Sequence, residues 1–170
     1  MGLLKTVDEQ GIERRWTFKE VVQGRPLGHP SHPMFVHFPV AFYLAVVVFD
    51  VMSRIALTPG LVLAGTYLIV GAALASVFAV ITGLVDWWGM VPRSAKRRIA
   101  TRHMLLQFVT FGFFATNLIL RWPERHALEA QTIWIVLGAV GYLFLVVGQW
   151  LGGILVYQKA MRVSTGGSAG

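Results

Sequence analysis

Four long apolar stretches, separated by short polar segments, set the pattern of this chain. They run Met34–Ser53, Leu61–Val85, His103–Arg121 and Thr132–Tyr157. A helix that crosses the hydrocarbon core of a bilayer needs about 20 such residues. A soluble amphipathic helix would interrupt each run with a polar face, yet residues 70–85 carry no charge. The connections around Thr58-Pro59-Gly60 and from Pro123 to Gln131 are short. The pattern therefore predicts an all-α membrane protein, a four-transmembrane-helix up-down bundle. Ahead of Pro26 the periodicity changes. Leu3, Leu4, Val7, Ile12, Trp16, Phe18 and Val22 recur at roughly helical intervals among charges. This predicts an N-terminal amphipathic arm on the membrane surface or a partner, with a loosely ordered tail as the plainer alternative. Three units follow: a cytoplasmic or interfacial arm (1–27), a four-helix transmembrane domain (28–160) and a flexible C-terminal tail (161–170) rich in Gly and Ser.

Composition sharpens this reading. The 170 residues are 55% hydrophobic and 14% charged, whereas soluble domains carry about 25% charged residues. The absence of cysteine excludes disulfides, thiolate metal sites and cysteine nucleophiles. Lys5, Asp8, Glu9, Glu13, Arg14 and Arg15 interrupt any apolar core near the N-terminus, so no signal peptide is expected. The net charge of +7 comes without a basic-aromatic platform, so nucleic acid is not an expected partner. The positive charges cluster instead by side. Arg93, Lys96, Arg97, Arg98 and Arg102 lie between spans two and three, Lys5, Arg14, Arg15, Lys19 and Arg25 in the arm, and Lys159 and Arg162 after span four. The other side holds Arg54, Arg121 and Arg125, with Glu124 and Glu129. The positive-inside rule places both termini and the 87–102 segment in the cytoplasm, giving a multi-pass protein of the inner membrane that faces an anionic leaflet. Trp87, Trp88, Trp122, Trp134, Trp150 and Tyr157 fall near predicted span ends, as interfacial aromatics do.

The candidate chemistry lies in histidines. His29, His32 and His37, three of the five in the chain, fall within nine residues at the mouth of span one, interleaved with Pro30, Pro33 and Pro39. In an up-down bundle, span two ends at Asp86 and span three begins at His103 on the same side. His29, His32, His37, Asp86 and His103 thus converge in depth from three parts of the sequence, and only His126 belongs to the other side. Imidazole is a common metal ligand and the usual axial ligand of haem iron. His37 and His103 stand at the predicted helix ends and are the expected haem b ligands. Asp86 would then accept the ring N–H of a ligating histidine. All five residues together form the expected donor set of a non-haem metal. Plainer roles stand beside these: an interfacial turn at His29 and His32, a cap at His37, pairing of Asp86 with the arginines, and a headgroup-level ring at His103.

Two further features concern packing. Gly71, Ala75, Ala79 and Gly83 recur every fourth residue, keeping one face of span two small so that a helix or a flat cofactor can approach. Gly148, Gly152 and Gly153 repeat the device in span four. Asp50 lies thirteen residues after His37, about 20 Å along the axis, level with Asn117 and within a turn of Arg121. A carboxylate at that depth needs a partner, so Asp50 is expected to contact Arg121 or Asn117 and seal the outer end. A proton path is the sharper alternative.

These residues also form a recognisable series. The pattern HPxHPxxVHFP from His29, the late Asp50, Gly83-Leu84-Val85-Asp86, His103, Arg121 and the closing Leu151-Gly152-Gly153-Ile154-Leu155-Val156-Tyr157 resemble a bacterial four-helix integral membrane family catalogued as a domain of unknown function. The resemblance covers roughly residues 28–163. Some members of that family stand joined to, or beside, Rieske-type iron–sulfur and other redox proteins, so the resemblance implies a redox setting. Ile154 stands where an acidic residue is common in the family.

No nucleophilic elbow, phosphate loop or HExxH is present, and Asp50 and Asp86 lie at opposite ends of the helices. Catalysis by this chain alone is therefore not expected. Three classes remain: an electron-transferring haem subunit, a non-haem metal-binding membrane protein, and an accessory subunit of a larger membrane complex, which the family resemblance implies to be one of redox function.

Overall fold

The computed structural model describes residues 2–7 and 11–161. The expected flexible tail lies outside the described residues, apart from its first position. Four long helices form the body: α2 (Ser31–Ala56), α3 (Leu61–Trp88), α4 (Ala95–Arg121) and α5 (Thr132–Tyr157). Each is long and apolar enough to cross a membrane. They pack as two hairpins, α2 with α3 and α4 with α5, which meet through lesser α2–α5 and α3–α4 contacts. Leu74, Val77, Phe78, Ile119 and Leu143 are exposed around the outside, where acyl chains would cover them.

Two helices begin earlier than their hydropathy suggested. α2 starts at Ser31, because Pro30 is extended at the cap position and Pro33 falls in the first turn, where a missing N–H costs nothing. The proline-flanked histidine segment is thus helical from His32 onward. α4 starts at Ala95, behind Ser94, whose Oγ accepts from the Arg97 amide at 3.2 Å. Its first turns are Lys- and Arg-rich but good helix formers, so Lys96, Arg97, Arg98 and Arg102 lie on the helix and not in a loop. In the membrane interior, hydroxyls must find partners along their own helix. Thr66, Thr82 and Thr110 donate to the carbonyls of Val62, Phe78 and Leu106 at 2.8–3.0 Å.

The arm differs from its helical expectation. Leu4–Val7 (β1) and Glu13–Trp16 (β2) pair antiparallel, with Leu4 opposite Trp16. Trp16 Nε1 donates to Thr6 Oγ1 at 2.7 Å across the hairpin. Among the described residues of the arm, Phe18–Val22 (α1) is α-helical, started by a capping box of Thr17 and Glu20, and Arg25–Leu27 forms a 3-10 turn. A stretch of four β-competent residues on either side of Gly11, which has φ +79, satisfies its backbone locally by pairing, so tertiary context overrides the loose helical spacing.

The two hairpins are repeats of one plan. His32 and His103, Tyr43 and Phe114, and Asp50 and Arg121 are each 71 positions apart, and each pair meets across the bundle. The buried positions of α2 at Pro39, Tyr43, Val46 and Asp50 match those of α4 at Thr110, Phe114, Asn117 and Arg121 at the same offset. In α3 and α5 the offset is 69. Ala79 corresponds to Gly148, Gly83 to Gly152, and Gly65 to Trp134. The bundle therefore has an approximate two-fold axis along its length, with equivalent residues of α2 and α4 facing across it. Its middle is the apolar core of Tyr43, Val46, Ile69, Ala72, Phe114 and Leu145. The Tyr43 and Phe114 rings stack there at 3.8 Å.

Candidate cofactor site

At one end of this axis two imidazoles face each other. The His32 and His103 ring centroids are 6.4 Å apart, with planes at 87°. Each ring is held by the helix its own helix packs against. His32 Nδ1 lies 2.9 Å from the Ala79 carbonyl and His103 Nδ1 lies 2.7 Å from the Gly148 carbonyl. A carbonyl only accepts, so both Nδ1 atoms carry a proton, and in a neutral ring the lone pair then lies on Nε2. The small-residue stripes explain how the rings fit. A Cβ on Gly83 would meet His32 Cε1 at 2.9 Å, and one on Gly152 would meet His103 Cε1 at 3.2 Å. Both glycines leave room for a ring that lies flat on its neighbouring helix.

The histidines open on a cavity of about 770 Å³, lined by all four helices and mostly apolar. Its polar lining includes Asp86, Gln107, Gln149 and the two rings. Gln107 Nε2 is buried without a hydrogen-bond partner. At the end of α3, Asp86 Oδ1 accepts from Gln23 Nε2 at 3.1 Å, so the arm is tied to the histidine end of the bundle.

The five candidate ligands are placed unequally. The partner of His103 is His32, not His37. Because α2 starts at Ser31, residue 32 falls on the same helix face as Pro39, Tyr43, Val46 and Asp50. His37 sits about 140° further round; it is exposed at the cavity rim. His29 precedes the helix and is exposed. Among the described residues, no three His, Asp or Glu side chains converge to hold a metal ion. Asp86 is not the Nδ1 acceptor of either facing ring; backbone carbonyls take that role. His126 is exposed beyond the other end.

At that other end Arg121 Nη2 donates to Asp50 Oδ2, with both side chains fully buried. Asn117 does not reach Asp50 but donates to the Trp134 carbonyl at 2.8 Å. The Arg121 guanidinium lies 5.1 Å from the Trp134 ring centre. Ser53 Oγ accepts from the Ala130 amide at 2.8 Å and ties down the connection into α5.

The family described as "Predicted membrane protein (DUF2231)" matches residues 28–165. The chain belongs to this family. No curated protein and no solved structure matches it. In this DUF2231 member, the matched region begins just before the histidine–proline segment and takes in both histidines, both glycine stripes and the Asp50–Arg121 pair. Ile154, which stands where the resemblance leads one to expect an acid, lies on α5 two residues beyond Gly152.

One signal that the hydropathy pattern does not carry points to His32. Eighteen residues separate it from Asp50, and eighteen separate His103 from Arg121. That shared interval singles out His32 from its two neighbours.

Proposed function

We propose that this membrane protein is a haem-binding subunit of a membrane redox complex, in which His32 and His103 would hold a haem b. The observation that carries the reading is the pair of facing imidazoles, each with Nδ1 committed to a backbone carbonyl. Such a bond fixes the tautomer and the ring orientation of a ligating histidine. The ring centres, 6.4 Å apart, would let both imidazoles hold one iron between them. The cavity volume lies within the usual range for ligand sites, about 300–1,000 Å³, and its apolar lining suits a tetrapyrrole face. When bound, the haem supplies one-electron transfer. The protein residues would hold the iron, exclude water through the Tyr43–Phe114 stack and keep the cavity apolar.

A non-haem metal is the second reading, and it finds two facing ligands where such sites use three or more. As an accessory subunit without cofactor, the chain would leave the two Nε2 lone pairs without a role. The charge distribution supports a place in the inner membrane with both termini, and thus the histidine end, at the cytoplasmic face.

Absorption spectroscopy of protein purified from haem-replete cells tests the proposal. A Soret band is expected. His32→Ala or His103→Ala should remove it, while His37→Ala and His126→Ala should leave it intact. A wild-type protein without Soret absorption would sink the haem reading, and stoichiometric metal in that colourless protein would favour the second one.

A further inference from the structure

Four arginines, one just before α4 and three in its first turns, line a shallow surface depression that the histidine site does not use. Arg93, Arg97, Arg98, Thr101 and Arg102 line a space of about 360 Å³. Their arrangement is built and specific. Arg93 has a left-handed backbone at φ +61, an uncommon conformation for a residue with a Cβ. Its carbonyl thereby accepts from Arg98 Nη1 at 3.0 Å. Arg97 lies over the Trp87 ring, 4.0 Å from its centre, and donates to the Met90 carbonyl at 3.3 Å. Thr101 Oγ1 accepts from Trp87 Nε1 at 3.0 Å and donates to the Arg97 carbonyl at 2.9 Å. Trp87 and Thr101 thus fix the wall against which Arg97 is held.

Among the described residues, no ion pair involves any of these arginines. Four guanidinium groups around one concavity repel one another until an anion joins them. Guanidinium forks match phosphate oxygens in particular. The pocket also sits at the boundary of the spans, between the end of α3 and the first turns of α4. Trp88 at the end of α3 and Val91 in the connection to α4 are 80% and 72% exposed, and further along α4 Leu105 and Phe108, the latter also at the edge of the histidine cavity, are exposed apolar side chains. A ligand that fits both parts carries a phosphate head and an apolar tail.

We propose that this pocket binds the phosphate headgroup of an anionic phospholipid, with the acyl chains lying along Leu105 and Phe108. Basic pockets at this depth gain about 1 kcal/mol per cation near an anionic headgroup, roughly a fivefold affinity factor each.

Native mass spectrometry and thermal melts of the full chain in neutral detergent test this, with short-chain phosphatidylglycerol, short-chain phosphatidylcholine and inorganic phosphate as probes. Phosphatidylglycerol should remain bound and raise the melting temperature, while phosphatidylcholine and inorganic phosphate should do neither at equal concentration. The variant R93Q/R98Q/R102Q should lose about a hundredfold in phosphatidylglycerol affinity. It leaves Arg97 and its Trp87 contact in place, so the unliganded melting temperature should stay near wild type. R14Q/R15Q, which removes two exposed arginines from the arm hairpin, should keep wild-type affinity. Equal binding of phosphatidylcholine, an equal response to inorganic phosphate, or an equal loss in R14Q/R15Q would each overturn the proposal.

Discussion

Single side chains decide what each end of the bundle can do. At one end two imidazoles, each with Nδ1 held by a backbone carbonyl, line a cavity; at the other a carboxylate and a guanidinium meet with no exposure at all. Asp50 Oδ1, Asn117 Oδ1 and Arg121 Nε and Nη1 are also buried without partners. A buried pair is costly to break, because removing one charge strands the other. Asp50→Asn or Arg121→Gln should therefore destabilise the protein by about 3–5 kcal/mol, read as lower midpoints in detergent melts. The exchange D50R/R121D should recover much of that loss, since the two positions are equivalent across the axis. A double variant no more stable than the singles would show that the surroundings, and not the pair, set the cost. The depth of Asp50, Arg121 and the histidines was legible from counting along helices. Rotation was not, because hydropathy is uniform around a lipid-exposed helix. That is why His37, at the apparent helix start, stood out in the sequence while His32 forms the contact.

Elements carry the next level of information. The small stripe of α3 packs on α2: a Cβ on Gly71 would touch Phe42 at 3.2 Å, Ala79 is buried, and Gly83 faces His32. The stripe was visible as a four-residue repeat, but its occupant was not. It proves to seat a helix and, at its end, a histidine ring. Ala79→Leu should push the two helices apart at a cost of about 1–3 kcal/mol and displace the carbonyl that orients His32. Lower stability together with a weakened Soret band is the expected pair of readouts. A variant as stable as wild type would place this face toward lipid. The ends of α2 and α4 were less legible than their middles. Capping and proline chemistry, rather than hydropathy, set Ser31 and Ala95 as helix starts. The arm was misleading for a related reason: its seven apolar residues fit a helical spacing loosely, and strand pairing across Gly11 satisfies more of its backbone.

At the scale of the whole molecule, the duplicated plan and the charge asymmetry act along the same axis. The four-helix architecture was plain in the sequence because each span is long and nearly free of charge. The repeat was hidden because its landmark residues are few and differ in kind, Asp against Arg and Tyr against Phe. The two ends differ sharply in exposed charge. The histidine end carries Lys5, Arg14, Arg15, Lys19 and Arg25 on the arm and five basic residues from Arg93 to Arg102, with Glu13, Glu20 and Asp86 against them among the described residues. At the other end Arg54 and Arg125 are balanced by Glu124 and Glu129, and Arg54 pairs with Glu129 at 3.7 Å. Basic residues close to span ends are retained on the cytoplasmic side during insertion, and acidic ones contribute little. The histidine end should therefore face the cytoplasm. A fluorescent protein fused after Gly170 should fluoresce, and alkaline phosphatase fused after Gly60 should be active because it is exported. The reverse pair of results would invert the bundle, put the arginine pocket in the outer leaflet and open the histidine cavity toward the outside.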